Sequence, residues 1–240
     1  MRSPKMILFD YGRTLACEPG WDSLRGNREL LKYAVKNVQG ITAEEVQRTA
    51  RMLDSRVQEV RALGLDVTGQ AFNRLLYGSL GVEFSLNPAE QETVFWNAAC
   101  PGDIMPGAAA LLALLRDRGI PTGVISNLLW SGEALEKRLA RLFPGHGFAF
   151  CLTSSDYLFR KPHKLLFETA VRQSGLLPED IWFCGDNPRA DVEGASAAGL
   201  YPVWYDSGTE DVRRQDPPSC RHLHIRHWNE LMDILKNMPR

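Results

Sequence analysis

The stretch Lys5-Met6-Ile7-Leu8-Phe9-Asp10-Tyr11-Gly12-Arg13-Thr14 decides the reading of this chain. An apolar run without polar alternation, closed by an Asp and a turn glycine, describes a short strand buried on both faces. Similar runs recur at residues 122–126, 148–152, 181–184 and 201–204, and a shorter one is Leu223-His224-Ile225. Helical segments separate them. Residues 107–118 end at Gly119, residues 162–174 at Gly175, and the Ala- and Gly-rich residues 190–198 at Gly199. Glycine suits the left-handed position that closes a helix. Strands alternating with helices predict an α/β class, a parallel sheet covered on both faces to make three layers.

Residues 17–100 read differently, with helical signals and no convincing strand. Thr42-Ala43-Glu44-Glu45 is a capping-box pattern that opens a helix ending near Gly64. Asn87-Pro88-Ala89-Glu90 offers an N-cap, a Pro in the first turn and an acid behind it. The other strand-to-strand connections take one helix. This block is therefore expected to be an all-helical subdomain inserted after the first strand, leaving residues 1–16 and 101–240 as the α/β core.

Composition narrows the function. The 240 residues carry 28 Lys and Arg against 29 Asp and Glu, for a formal net charge of −1. That balance lacks the basic excess of a nucleic-acid binder. With 44% apolar residues, the chain is not a disordered one. The apolar run after the first five residues is too short for a signal peptide. The longest low-polarity stretch, residues 107–115, is about half of a bilayer span, so no membrane partner is expected. Five scattered cysteines without a C-x-x-C pair argue against a disulfide framework or structural zinc and favour a cytoplasmic protein.

In open α/β sheets, ligands bind outside the carboxyl ends of the strands. The polar residues there are Asp10, Gly12 and Thr14, then Ser126 and Asn127, then Lys161, then Asp186 and Asp191. Each alone has an ordinary use as a turn, cap or surface residue. Together they supply hard oxygen ligands, a hydroxyl, an ammonium and backbone N–H groups. That set suits a phosphate held with a divalent metal.

These residues resemble the motifs of the haloacid dehalogenase superfamily. Phe9-Asp10-Tyr11-Gly12-Arg13-Thr14-Leu15 is similar to its first motif, and Val124-Ile125-Ser126-Asn127 to its second. Arg160-Lys161-Pro162 is similar to the third, and Gly185-Asp186 through Asp191 to the acidic fourth. The helical insert resembles the family's type 1 cap. The resemblance implies a Rossmann-like core and a phosphatase-type hydrolase acting on a small phosphorylated metabolite. It makes Asp10 the nucleophile and a Mg²⁺ ligand, with Gly12 lending its carbonyl to the metal. Ser126 would hold a phosphoryl oxygen, Lys161 would steady charge, and Asp186 and Asp191 would complete the metal site. Thr14 and Asn127 are expected to contact substrate.

One position departs from the family pattern. Its phosphatases carry a second Asp, the general acid and base, where this chain has Gly12. Such catalysis is typically worth about 10²–10⁴-fold. Three readings stay open: an acid from elsewhere, a substrate with a good leaving group, or a weak or non-catalytic binder of phosphate ligands. Family dehalogenases and phosphonate-cleaving enzymes also lack that Asp. The former conflict with Asp186 and Asp191 both being acidic, and the latter would draw a Schiff-base lysine from the insert, where Lys32 and Lys36 lie. His163 is expected in the first turn of a helix, and Trp21 and Trp96 as packing near the ends of the insert. Residues 210–214 read as a solvated loop.

Overall fold

The computed structural model describes residues 2–208 and 216–239; the segment 210–214, expected as a solvated loop, lies outside the described residues. The chain opens with β1 (Met6–Phe9), and a tight turn leads to β2 (Ala16–Cys17). Then come α1 (Ser23–Leu31), β3 (Ala34–Asn37), α2 (Ala43–Ala62), α3 (Gly69–Ser79), β4 (Val82–Phe84) and α4 (Pro88–Ala99). The chain returns through β5 (Asp103–Ile104) to α5 (Ala108–Asp117), β6 (Thr122–Ser126), α6 (Gly132–Leu142), β7 (Cys151–Thr153) and α7 (Ser154–Tyr157). It closes with α8 (Lys164–Ser174), β8 (Ile181–Gly185), α9 (Gly194–Ala197), β9 (Tyr201–Tyr205), β10 (Leu223–Ile225) and α10 (Trp228–Lys236).

Six strands form one parallel sheet in the order β10-β9-β8-β1-β6-β7. The opening apolar run supplies its centre. Ile7 and Phe9 point into one layer, where Leu111 and Trp228 pack, and Met6 and Leu8 into the other, beside Phe167 and Ile181. All four side chains are buried. That two-faced burial, at about 1.5–3 kcal/mol for each large apolar side chain, is why the run tolerates no polar alternation. The fold is thus a Rossmann-like α/β sandwich with the first strand at its middle.

Two sequence readings shift. The strand expected over 148–152 is β7 at Cys151–Thr153, because residues 149 and 150 only approach it. Ala149 N–H donates to Thr122 O at 2.7 Å, and Val124 N–H donates to Phe150 O at 3.0 Å. The helix expected over 190–198 begins earlier, as a π-helical turn over Pro188–Glu193 that runs into α9.

Between Cys17 and Cys100 the structure is helical, with Thr42 and Asn87 capping α2 and α4 as their sequences specify. Leu30, Val46, Leu76, Tyr77 and Val82 form a separate apolar cluster there. This segment is not wholly helical. β3 pairs with β4 antiparallel, and β2 with β5 where the segment leaves and rejoins the sheet. β3 has no fully buried residue, Val35 is 69% exposed and only Ala34 packs on that cluster, so the strand leaves no apolar alternation to read.

Candidate active site

Register places the site. Phe9 of β1 stands opposite Val124 of β6 and Cys184 of β8. Asp10, Ser126 and Asp186 therefore emerge together at the carboxyl ends of three adjacent central strands. The chain leaves β1 in opposite directions across the sheet, and at such a switch point a crevice opens. Asp10, Gly12, Arg13, Ser126, Asn127, Leu128, Arg160, Lys161, Asp186, Asn187, Ala190 and Asp191 line a cleft of about 320 Å³ there.

Asp10 is the hub. Its Oδ1 accepts from Ser126 Oγ at 2.8 Å and from Lys161 Nζ at 2.7 Å. No described residue donates to its Oδ2. Lys161 Nζ also donates to Ile125 O at 2.8 Å and lies 2.6 Å from Asp191 Oδ1. Burial pulls the Lys161 ammonium down, but Asp10 and Asp191 outweigh it and hold it above its ordinary range. Asp191 is aimed by the π-helical turn, its Oδ2 accepting from Asn187 N–H at 2.9 Å. It lies so close over the chain that a Cβ at Gly185 would run into its carboxyl.

Carboxylate oxygens of Asp10, Asp186 and Asp191 lie within 4.8 Å of one another, all three residues buried. Burial raises the carboxyl of Asp186, and Asp191 and Asp10 raise it further. Burial also raises Asp191, partly offset by Lys161. Arg13 Nε lies 2.9 Å from Asp186 Oδ2. Yet Asp186 Oδ2 and Asp191 Oδ1 are buried without an aligned hydrogen bond from any described residue. Crowded, desolvated carboxylates with free lone pairs fit a hard divalent cation.

Of the two expected substrate contacts, Thr14 is placed elsewhere and Asn127 lines the cleft. Thr14 is fully buried behind the turn and does not line the cleft. The Asn127 amide is spent on the backbone of Lys161, donating to its carbonyl at 3.0 Å and accepting from its N–H at 2.8 Å. It positions Lys161. Gly12 lines the cleft, and a Cβ built on it meets nothing within 4 Å. The lysines of the insert do not reach the cleft. Lys32 and Lys36 are exposed and pair with Glu29 and Glu83 at 2.6 and 2.5 Å. His163 caps α8, its Nδ1 accepting from Leu165 N–H at 3.3 Å.

Sequence reasoning missed a second layer. Arg138 is buried in α6. Its Nε donates to the Tyr11 hydroxyl at 2.6 Å and its Nη2 to Cys100 O at 2.9 Å, while Nη2 lies 3.2 Å from Glu18 Oε1. It also stacks on Trp96, its Cζ 4.2 Å from the ring centre. This side chain ties the residue after Asp10 to both connections of the 17–100 segment. Its sequence, an Arg in an amphipathic helix, gives no hint of burial. Arg160 and Asn187 lie inside the quoted motifs and Leu128 directly follows one, and that position was the available signal.

The model of the family described as haloacid dehalogenase-like hydrolase matches residues 26–199, so the chain belongs to that family of hydrolases. A phosphoserine phosphatase of Thermus thermophilus is 32% identical over 128 residues, 53% of this chain and 49% of that protein. A glyceraldehyde 3-phosphate phosphatase of Methanothermobacter thermautotrophicus is 32% identical over 111 residues, 45% of this chain and 47% of that one. The chain spans about half the length of these curated relatives. A 2-haloacid dehalogenase structure from Pseudomonas syringae superposes with a TM-score of 0.65 at 19% identity, covering 98% of this chain and 99% of that one. A HAD phosphatase from Thermococcus onnurineus gives 0.59 at 18%, covering 99% of each chain. At those identities the likeness concerns the fold. No helix of the described residues is long and apolar enough to cross a membrane.

Proposed function

We propose that this hydrolase is a Mg²⁺-dependent phosphatase for small phosphorylated metabolites, working through an aspartyl phosphate on Asp10. The observation that carries this reading is the division of labour on Asp10. Lys161 and Ser126 both engage Oδ1, which leaves Oδ2 as the oxygen for attack. That oxygen forms the bond to phosphorus as the bond from phosphorus to the leaving oxygen breaks, and the leaving group departs as its anion, to be protonated by water. Water then cleaves the aspartyl phosphate and restores the carboxylate. Ser126 Oγ and Lys161 Nζ are poised to bond and neutralise phosphoryl oxygens as charge shifts. Asp10, Asp186, Asp191 and the Gly12 carbonyl would hold the cation, which, when bound, offsets negative charge on the phosphoryl group. Residues 17–100 serve as the cap over this cleft in the same reading.

The two phosphatase-named relatives support the reaction class. The exposed pairing of Lys32 and Lys36 disfavours a Schiff-base phosphonate cleavage. Among the described residues lining the cleft there is no His, and no acid besides the clustered carboxylates. That favours substrates whose leaving group needs no proton donor, such as acyl or aryl phosphates. It also keeps a binder with weak turnover as the second reading. Acid-quenched protein after exposure to acetyl phosphate and Mg²⁺ should carry one phosphoryl group on the peptide containing Asp10. Mass spectrometry reads this directly, and an unmodified peptide under steady turnover would overturn the proposed intermediate.

A further inference from the structure

A second cavity, of about 290 Å³, shares no lining residue with the catalytic cleft. The two are chain neighbours: Leu128 lines the cleft, and Leu129 and Trp130 line the cavity. Its other walls come from Trp21, just before α1, and from α1, α2, α3 and α4. Trp21, Phe95 and Trp130 form an aromatic wall, with ring centres 5.5 Å apart for Phe95–Trp130 and 6.4 Å for Trp21–Trp130. Asn27, only 3% exposed, lines the same cavity. Its amide makes no hydrogen bond with any described residue, and neither does that of Asn73 on the same cavity. Gln47, also in the wall, donates to Ser23 Oγ at 2.9 Å.

An amide that opens onto a cavity and is not spent on the protein is available to a ligand. Here it faces a cavity large enough for a ligand, since an apolar cavity of about 150 Å³ already holds a benzene ring. Flat aromatic walls select flat ligands, by offset stacking or edge contacts. A primary amide presents a donor and an acceptor side by side. Its complement is a ring edge carrying an acceptor and a donor in the opposite order.

We propose that this cavity binds a planar heteroaromatic ring with a lactam-type donor–acceptor edge, which Asn27 reads. The site stands independently of the phosphatase reading. The ring can be the leaving group of the substrate or a separate small molecule, and the test separates the two.

The probes are uracil and hypoxanthine, titrated calorimetrically into the full chain, with benzyl alcohol as a ring that lacks the lactam edge. The lactams should bind saturably at one site and more tightly than benzyl alcohol. Asn27→Leu, close in volume, should weaken them about tenfold or more while leaving benzyl alcohol little changed. In the wild-type protein, the indole N–H resonances of Trp21 and Trp130 should shift on titration, a readout that needs no variant to fold. Competition between the lactams and turnover of acetyl phosphate would assign the ring to the substrate; unaltered KM would assign it to a separate ligand. No saturable binding of either lactam, unshifted indole resonances, or equal affinity in Asn27→Leu overturns the proposal.

Discussion

At the scale of single residues, the proposed mechanism turns on Gly12, where the family's phosphatases carry an Asp. Its Cβ position opens onto free space, and its φ is not positive, unlike the neighbouring Arg13 at 57°. An Asp therefore fits there without strain. Gly12→Asp should raise kcat for alkyl phosphates, whose leaving groups need a proton, by up to about 10²–10⁴-fold. It should change p-nitrophenyl phosphate far less, and comparing the two substrates isolates the missing acid. Asp186 makes a second test. Its carboxyl is raised chiefly by burial and by Asp191, so the folded state binds its proton more tightly than the unfolded chain does. Without metal, that contribution to stability is present below the ordinary carboxylate range and is lost as pH rises. Asp186→Asn should therefore raise the Tm of the metal-free protein at about pH 7.5, and the advantage should shrink toward about pH 4. It should also remove the stabilisation by Mg²⁺, which differential scanning fluorimetry measures. Most of these residues could be read from the sequence, because Asp10, Ser126, Lys161, Asp186 and Asp191 each close an apolar run or sit in a quoted motif. Thr14 lies behind the turn, and Asn127 at the cleft wall spends its amide on the Lys161 backbone. Whether a side chain faces a cleft or its own backbone is decided by the turn, which spacing does not encode.

Among the elements, the π-helical turn and the α6 clamp matter most. The turn over Pro188–Glu193 swings Asp191 back over Gly185. An ordinary α-turn was the natural expectation from Ala-rich sequence. Arg138 ties α6 to Tyr11, Glu18 and Cys100. Removing one partner of a buried ionic network costs about 3–5 kcal/mol, and for a chain of this size each kcal/mol moves Tm by roughly 2–4 °C. Arg138→Leu should lower Tm by about 10 °C. Lys137→Ala, which breaks only the exposed pair with Glu133, should lie within about 1 kcal/mol of wild type. Thermal unfolding of both checks the claim. The helices of the 17–100 segment were legible because α2 and α4 carry capping boxes. β3 was not, because it pairs with β4 and offers only Ala34 to the apolar cluster, too little for a readable pattern.

For the whole molecule, a near-zero net charge conceals a divided charge distribution. Three carboxylates gather at the centre of the sheet, and Lys161 is buried against two of them. That concentration is what a binder of metal and phosphate needs, and it follows from one topological fact, that β1 sits between β6 and β8. The sequence order of strands does not state this adjacency; the buried runs made it readable by requiring a parallel sheet. The central claim is that Asp10 does covalent chemistry in that centre with a divalent metal. The most direct measurement is phosphate release from p-nitrophenyl phosphate by wild type and Asp10→Asn, with Mg²⁺ and with EDTA. The account predicts turnover by wild type that EDTA abolishes, and a loss in Asp10→Asn of about 10³-fold or more. Equal rates for the two proteins, or turnover indifferent to EDTA, would contradict it.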